Sequence, residues 1–340
     1  MSFGQIRGQE SAVAILKNAL RSGRLAHAYL FFGPEGVGKR LTALTLAKAM
    51  NCASSKEVEF PCERCPSCIK VNSSSHADVI LLEPEGEVIK IDQVRDMQRR
   101  LRYRPLEGGH RACIIDSADG LNDTASNALL KTLEEPPDET HLLLITSRPH
   151  QLLPTILSRC QWVRFKPLSI AHIVQILQKS HSLEEEKANF YASLAGGSAG
   201  QALALSDRVD FQKRTDWLRA FSDIPEKTVE EIFETCARLS KEEEVNDLLD
   251  LWKLWIRDLV VLQVQGEDAG EKLINHDLRV EAAEEAQKYS LDRLDSVFGL
   301  ISDVQKSIAL KANPQLALET LMLEMKKNSP ENSERDADFR

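Results

Sequence analysis

The stretch GPEGVGK, Gly33 to Lys39, decides the fold of this 340-residue chain. It has the G-x-x-x-x-G-K spacing of a phosphate-binding loop. The apolar run AHAYLFF at 26–32 precedes it and predicts a buried strand, while LTALTLAKAM at 41–50 follows it and has the apolar face of a helix. Strand, glycine loop and helix, in that order, form the structural context in which such a loop holds phosphate.

The loop itself supplies four candidate nucleotide-binding residues. Glycines at Gly33, Gly36 and Gly38 let backbone N–H groups curl round phosphate oxygens, and Lys39 is placed to reach the terminal phosphates. The next residue is Arg40, whereas working loops have a Ser or Thr whose hydroxyl ligates Mg2+. An arginine repels that ion. We therefore expect ATP binding that is weak and without productive Mg2+; a glycine turn with no ligand is the alternative.

Asp116 is the fifth candidate for this degenerate nucleotide site. It follows the apolar run at 112–115, where a P-loop ATPase keeps its metal-linked aspartate, although many ordinary strands also end in Asp. Position 117 is Ser, where an active ATPase would usually have a glutamate that polarises water. We expect no ATPase activity from the isolated chain.

Hydrophobic patterning extends the strand and helix into an α/β fold. Apolar runs at 79–82, 112–115 and 142–146 alternate with helical stretches at 92–103 and 123–135. This alternation predicts a parallel sheet with helices on both faces.

Beyond residue 167 the pattern predicts helices alone. We assign the P-loop domain to 1–166, a small helical domain to 167–208 and a longer helical domain to 209–326. The last segment, 327–340, has no periodicity, and we expect it to be disordered.

Four cysteines form the second candidate site, a metal centre at 52–68. Cys52, Cys62, Cys65 and Cys68 have the spacing C-x9-C-x2-C-x2-C, which suits tetrahedral Zn2+ bound by thiolates. Buried free thiols are the alternative, but the surrounding sequence EFPCERCPSC is polar and rich in proline. Four protein ligands close the site, so we expect a structural zinc. The other three cysteines, at 113, 160 and 236, are typical of small apolar core residues.

Composition and charge limit the function. The net charge is −9, and it is uneven: residues 1–170 have 22 Lys and Arg against 19 Asp and Glu, and residues 171–340 have 21 against 33. Bulk charge therefore does not favour nucleic-acid binding. The sequence has neither a membrane-length apolar run nor the apolar core of a signal peptide at its start, so we expect a cytoplasmic protein.

One helix face is a candidate for contact with DNA. On the predicted helix 92–103, Arg95, Arg99 and Arg102 share a side and could bind phosphates. A solvated face is the commoner meaning of such a charge run, and we favour it slightly.

Several further segments resemble bacterial clamp-loader subunits of DNA polymerase III. The segments are GQ at 8–9, HAYLF at 27–31, the phosphate loop, the cysteine cluster, SNALLKTLEEPP at 126–137 and ILSRC at 156–160. The resemblance covers residues 1 to about 326. It implies the AAA+ fold, with the zinc module inserted in the P-loop domain, a helical lid at 167–208 and a helical collar at 209–326 through which subunits join in a ring.

The resemblance also implies a role for individual residues. Active motor subunits have a sensor arginine in the lid, where this chain has Gln201. Together with Arg40 and Ser117, this departure indicates a stator that does not hydrolyse ATP. Arg159 would be an arginine finger that completes the ATP site of an adjacent motor subunit; the end of a helix is its ordinary role.

The implied partners are the gamma/tau motor subunits and the delta subunit, with the sliding clamp and primer-template DNA reached through the complex. Two alternatives remain open. One is an ATP-hydrolysing gamma/tau-like motor subunit, which Mg2+-dependent turnover would identify. The other is a zinc-containing DNA-binding module that uses the Arg95 face.

Overall fold

The computed structural model of the protein describes residues 2–54, 61–107, 109–208, 211, 213–241, 245–266 and 272–327. The chain forms two compact units, one made of residues 1–176 with 196–201 and the other of residues 177–195 with 202–340. The domain boundaries at 166 and 208 remain predictions.

A five-stranded parallel sheet organises the first unit. Its order is β2-β3-β4-β1-β5, and the strands are β1 Ala28–Phe32, β2 Val79–Leu82, β3 Arg111–Ile115, β4 Thr140–Thr146 and β5 Gln161–Arg164. Because all strands run the same way, their carboxyl ends share one edge of the sheet and their amino ends the other.

Helices cover both faces of this sheet, as the patterning predicts. They are α1 Glu10–Ser22, α2 Lys39–Asn51, α3 Pro66–Asn72, α4 Ile91–Leu101, α5 Asp123–Glu134 and α6 Pro154–Leu157. Tyr29 and Phe31 belong to one apolar cluster with α1 and α2, while Ala28 and Leu30 belong to a second cluster with α4 and α5. Alternate residues of β1 therefore supply two separate cores.

The fifth strand is absent from the sequence prediction. Of the four residues in β5, only Val163 is buried, because the strand lies at the edge of the sheet beside β1. A half-polar edge strand of this length lacks the continuous apolar run that marks β1, β3 and β4.

The second unit is helical among its described residues. Its helices are α8 Glu185–Leu194, α10 Lys213–Ser222, α11 Val229–Leu239, α12 Val245–Gln265, α13 Arg279–Ala286, α14 Leu291–Ala309 and α15 Pro314–Lys327. Two further helices, α7 Ile170–His181 and α9 Ala199–Arg208, have residues in both units. Apart from Lys327, which ends α15, the predicted disordered tail lies outside the described residues.

The tryptophans of α12 are core residues. Trp252 and Trp255 are buried. The indole N–H of Trp252 donates to the Trp217 carbonyl at 2.7 Å, and that of Trp255 donates to Glu285 Oε2 at 3.0 Å. Each ring thus combines apolar burial with a satisfied polar edge. Among the residues that the structure describes, no helix is long and apolar enough to cross a membrane.

Candidate nucleotide and metal sites

The phosphate loop lies where β1 ends and α2 begins. Gly33, Gly36 and Gly38 have φ angles of +146°, +70° and +99°, which residues with a side chain rarely adopt. A Cβ at Gly33 would lie 2.2 Å from the Phe165 carbonyl oxygen. Backbone conformation and close packing therefore both require glycine in this loop.

The side chain of Lys39 folds back over the loop. It is buried, and its Nζ donates to the carbonyl oxygens of Gly33, at 2.6 Å, and Pro34. Burial lowers the pKa of Lys39, while the nearby carboxylates, Glu35 first among them, partly oppose that shift. The ammonium is thus held at the mouth of the loop by groups that a phosphate would replace.

Arg40, in the first turn of α2, turns its guanidinium toward two carboxylates. Nη1 donates to Asp116 Oδ2 at 3.2 Å and also to Glu83. Glu83 follows β2 and Asp116 follows β3, so both lie at the carboxyl edge of the sheet. Asp116 therefore lies beside the loop, and its negative charge is paired with the guanidinium of Arg40.

Sequence reasoning did not identify Glu83 as a candidate site residue. The signal was present, because Glu83 directly follows an apolar run that becomes a strand beside β3. Acidic residues after neighbouring parallel strands meet at one edge of the sheet.

A third carboxylate at this edge, Asp119, is held by residues from the end of β4. It accepts hydrogen bonds from Thr146 Oγ1 at 2.7 Å and from Arg148 Nε at 2.8 Å. Burial acts to raise the pKa of Asp119, but these hydrogen bonds outweigh it and hold the pKa below its usual value. Sequence reasoning named none of these three residues.

The segment 196–201, which includes the start of α9, contacts the phosphate loop. The Gly200 N–H donates to the Gly36 carbonyl at 2.9 Å, and a Cβ on Gly36 would lie 2.1 Å from Ser198 Oγ. Gln201 is exposed and follows this contact directly. The position that the resemblance assigns to a lid sensor is thus next to a residue that contacts the loop.

Arg159 lies between α6 and β5 and is about one-third exposed. Nη1 donates to the Thr155 carbonyl at 2.9 Å, and Nη2 pairs with Glu134 Oε1 at 2.8 Å. These partners belong to α6 and α5, away from the phosphate loop. The side chain does cap the end of a helix, and its charge is paired within the chain.

The four clustered cysteines converge as their spacing predicts. Their sulfurs all lie within 4.8 Å of one another. The Cys62 N–H donates to Cys52 Sγ at 3.4 Å, and the Cys68 N–H donates to Cys65 Sγ at 3.5 Å. Tetrahedral zinc with Zn–S bonds of about 2.3 Å places its sulfurs roughly 3.8 Å apart, so the cluster fits such an ion.

Local electrostatics already favour one thiolate in this cluster. The backbone N–H of Arg64 lowers the pKa of Cys62 to about 6, whereas burial raises the pKa of Cys68. Lys48 of α2 links the cluster to the main fold, since its Nζ donates to Glu63 Oε1 at 2.7 Å. The four cysteines are therefore placed so that they could hold a metal ion.

The remaining candidates show ordinary environments. Arg95, Arg99 and Arg102 are exposed, and the first two pair with Asp92 and Asp96 on their own helix. Burial raises the pKa of the three other thiols to about 12; they are Cys113, Cys160 and Cys236. The arginine face thus carries its own acidic residues, and these thiols are protonated at neutral pH.

Comparison with known proteins identifies relatives of this chain. The profile of the family described as DNA polymerase III, delta subunit, matches residues 8–169. DNA polymerase III subunit delta' of Bacillus subtilis is 31% identical over 320 residues, which cover 93% of this chain and 95% of that protein. Subunit tau of the same organism is 37% identical over 211 residues, which cover 61% of this chain but only 37% of tau.

Among solved structures, a DNA polymerase III gamma-subunit-related protein of Thermotoga maritima aligns over 92% of this chain and 98% of its own, with 18% identity and a TM-score of 0.42.

The parallel sheet and the glycine-rich phosphate loop between β1 and α2 define a P-loop protein. Within that class, the match over almost the whole length of both proteins is to delta'. The chain belongs to the family of DNA polymerase III delta' subunits.

Proposed function

We propose that this chain is a stator of the DNA polymerase III clamp loader, a delta'-like subunit that helps load the sliding clamp onto primed DNA without hydrolysing ATP. Relationship to delta' supports the assembly, and one observation carries the lack of hydrolysis: Arg40 pairs with Glu83 and Asp116 beside an otherwise intact phosphate loop.

The chemistry of P-loop enzymes explains why this pairing matters. Their Mg2+ is held by the loop Ser or Thr and by an aspartate at the end of a neighbouring strand. Arg40 removes the hydroxyl and places a fixed positive charge on Asp116. The loop glycines and Lys39 still offer donors to phosphate, so we propose weak nucleotide binding without productive Mg2+.

Arg159 is the residue through which the chain acts on a neighbour. An arginine finger supplied in trans stabilises charge on the transferred phosphoryl group of the adjacent ATP. Its partial exposure and its pairing with an exposed carboxylate, Glu134, suit a side chain that exchanges partners on assembly. The partners we propose are the gamma/tau motor subunits and delta, joined through the collar at 209–326.

The cysteine cluster has a structural role in this proposal. Cys52, Cys62, Cys65 and Cys68 would hold one Zn2+ with all four positions filled by protein, which leaves no place for a substrate. Bound zinc would supply the folding energy of a segment that begins where α2 ends.

Nucleotide binding and turnover by the purified chain test the proposal. We expect no Mg2+-dependent ATPase activity, because the metal-ligating hydroxyl is missing. Arg40→Ser restores that hydroxyl, and we expect it to raise nucleotide affinity about 10-fold only when Mg2+ is present. Arg40→Ala is the matched control, since it removes the charge without supplying a ligand.

The motor-subunit alternative rests on the similarity to tau over 61% of the chain. It predicts steady turnover by the unmodified protein. A rate near one per second that Lys39→Ala abolished would establish that alternative and reject the stator.

A further inference from the structure

We propose that His110, Glu139 and His141 form a second metal site, which binds one Zn2+ and leaves a coordination position open to a neighbouring cavity. The three ligand atoms lie within 4.8 Å of one another. They occupy the amino edge of the sheet, opposite to the edge that carries the phosphate loop, because His110 precedes β3, Glu139 precedes β4 and His141 is the second residue of β4.

The orientation of His141 makes one of its ring nitrogens available. Nδ1 lies 2.8 Å from the Ala26 carbonyl oxygen. A carbonyl only accepts hydrogen bonds, so Nδ1 carries the proton and Nε2 presents a lone pair to His110. Metal-bound histidines are commonly oriented in this way, with the second nitrogen donating to a backbone carbonyl.

His110 is fixed by its backbone. Its N–H donates to Asn51 Oδ1 at 2.9 Å, and its carbonyl accepts from Asn51 Nδ2 at 2.8 Å. This pairing with the end of α2 directs the imidazole toward β4. His110 Nδ1 then lies 3.2 Å from His141 Nε2 and 2.8 Å from Glu139 Oε2.

Glu139 completes a set of converging electron pairs. Its carboxylate is an acceptor, and so is His141 Nε2, yet both approach the same atom of His110. A single proton on His110 Nδ1 can point well at only one of them. A cation among the three atoms satisfies all of them, and tetrahedral zinc with bonds of about 2.0–2.1 Å requires ligand atoms roughly 3.3 Å apart.

Two imidazoles and one carboxylate indicate the class of ion. This set suits zinc and similar transition metals, whereas Mg2+ and Ca2+ prefer oxygen ligands. Three protein ligands leave at least one position for water or an anion. All three residues line a cavity of about 670 Å3, to which His27 and Asp138 also contribute. Such an open site differs in kind from the closed cysteine cluster.

Metal stoichiometry of the full-length protein tests this site. After removal of metal and equilibration at micromolar free Zn2+, we expect two bound equivalents per chain. Glu139→Gln and His110→Gln should each weaken the second equivalent at least 10-fold. Cys65→Ser should lose the cysteine-bound ion and keep the second. Asp138→Asn is the matched control, because it removes an exposed neighbouring carboxylate from the same cavity and should keep both.

Cobalt separates the two sites by colour. Co2+ bound to the cysteines gives intense sulfur-to-metal charge-transfer bands, and the second ion should add weaker visible bands without them. These weaker bands should disappear in Glu139→Gln, a change at an exposed side chain that leaves the fold intact. A wild-type protein that binds only one equivalent, or a second equivalent that survives both glutamine substitutions or is equally weakened in Asp138→Asn, would overturn the site.

Discussion

The two ends of α2 differ in how the ionisable groups beside them are paired. At its amino end, beside the phosphate loop, the carboxylates Glu83 and Asp116 are paired with a cation that the helix itself supplies, Arg40. At its carboxyl end the chain enters the cysteine cluster with Cys52, and four thiols converge there within 4.8 Å. In the first arrangement the carboxylates are paired with a cation of the chain itself, and in the second the four thiols could hold a metal ion.

The two ends of α2 therefore differ in how a cluster of ionisable groups is compensated. A guanidinium fixed on Asp116 keeps the carboxyl edge of the sheet electrostatically balanced without Mg2+. Several thiolates this close together repel one another. That arrangement is unfavourable unless a cation is bound.

The largest expected effect tests the cysteine end of the comparison. Cys65→Ser should remove about one equivalent of zinc and lower the free energy of unfolding by several kcal/mol, since metal binding is coupled to folding. Elemental analysis and thermal unfolding measure both. Cys160→Ala removes a thiol outside the cluster and should leave the zinc content unchanged. Metal-free protein with an unchanged melting temperature and four titratable cluster thiols would erase the contrast between the two ends.

A second prediction concerns Arg159, the proposed arginine finger. Arg159→Ala should leave the protein folded, zinc-loaded and able to assemble, because a partly exposed arginine contributes little to stability. DNA-stimulated ATPase of the assembled complex should fall by at least one site's share, with a loss of about 1,000-fold or more at the site served. Clamp loading should fall with it.

Arg164→Ala, at an exposed arginine of the adjacent strand β5, is the control for charge and should retain the rate. If the Arg159→Ala complex assembles and turns over at the wild-type rate with saturating clamp and primed DNA, Arg159 is only the end of a helix.

The smallest expected effect concerns Asp119 and its hydrogen bonds from Thr146 and Arg148. The folded-state pKa of Asp119 lies below its unfolded value, so its contribution is fully present above the ordinary Asp pKa of about 4 and is lost as the pH falls through the folded pKa. Asp119→Asn should therefore cost roughly 1–3 kcal/mol at pH 7 and progressively less in acid. Denaturant unfolding at several pH values measures this cost. A cost that does not change with pH would show that the charge of the Asp119 carboxylate does not contribute to stability.

Sequence reasoning worked best where neighbouring residues determine the structure. The spacing from Gly33 to Lys39 and the spacing from Cys62 to Cys68 each identify a local geometry, and the structure contains both. Long apolar runs likewise gave β1, β3 and β4. Sequence reasoning failed at β5, because this edge strand buries only Val163 and so lacks a continuous apolar run.

By itself, the sequence determined the α/β class, the position of the phosphate loop between a strand and a helix, and the grouping of four cysteines, because each depends on contacts over a few residues. The tertiary structure alone decided which charges meet. Arg40 reaches Glu83 and Asp116, 43 and 76 residues away, only because β2 and β3 are neighbours in the sheet. His110 reaches His141 for the same reason, since β3 pairs with β4 and the register of that pairing brings their amino ends together. Strand order follows from packing of the whole core, which brings together residues that are far apart in the chain.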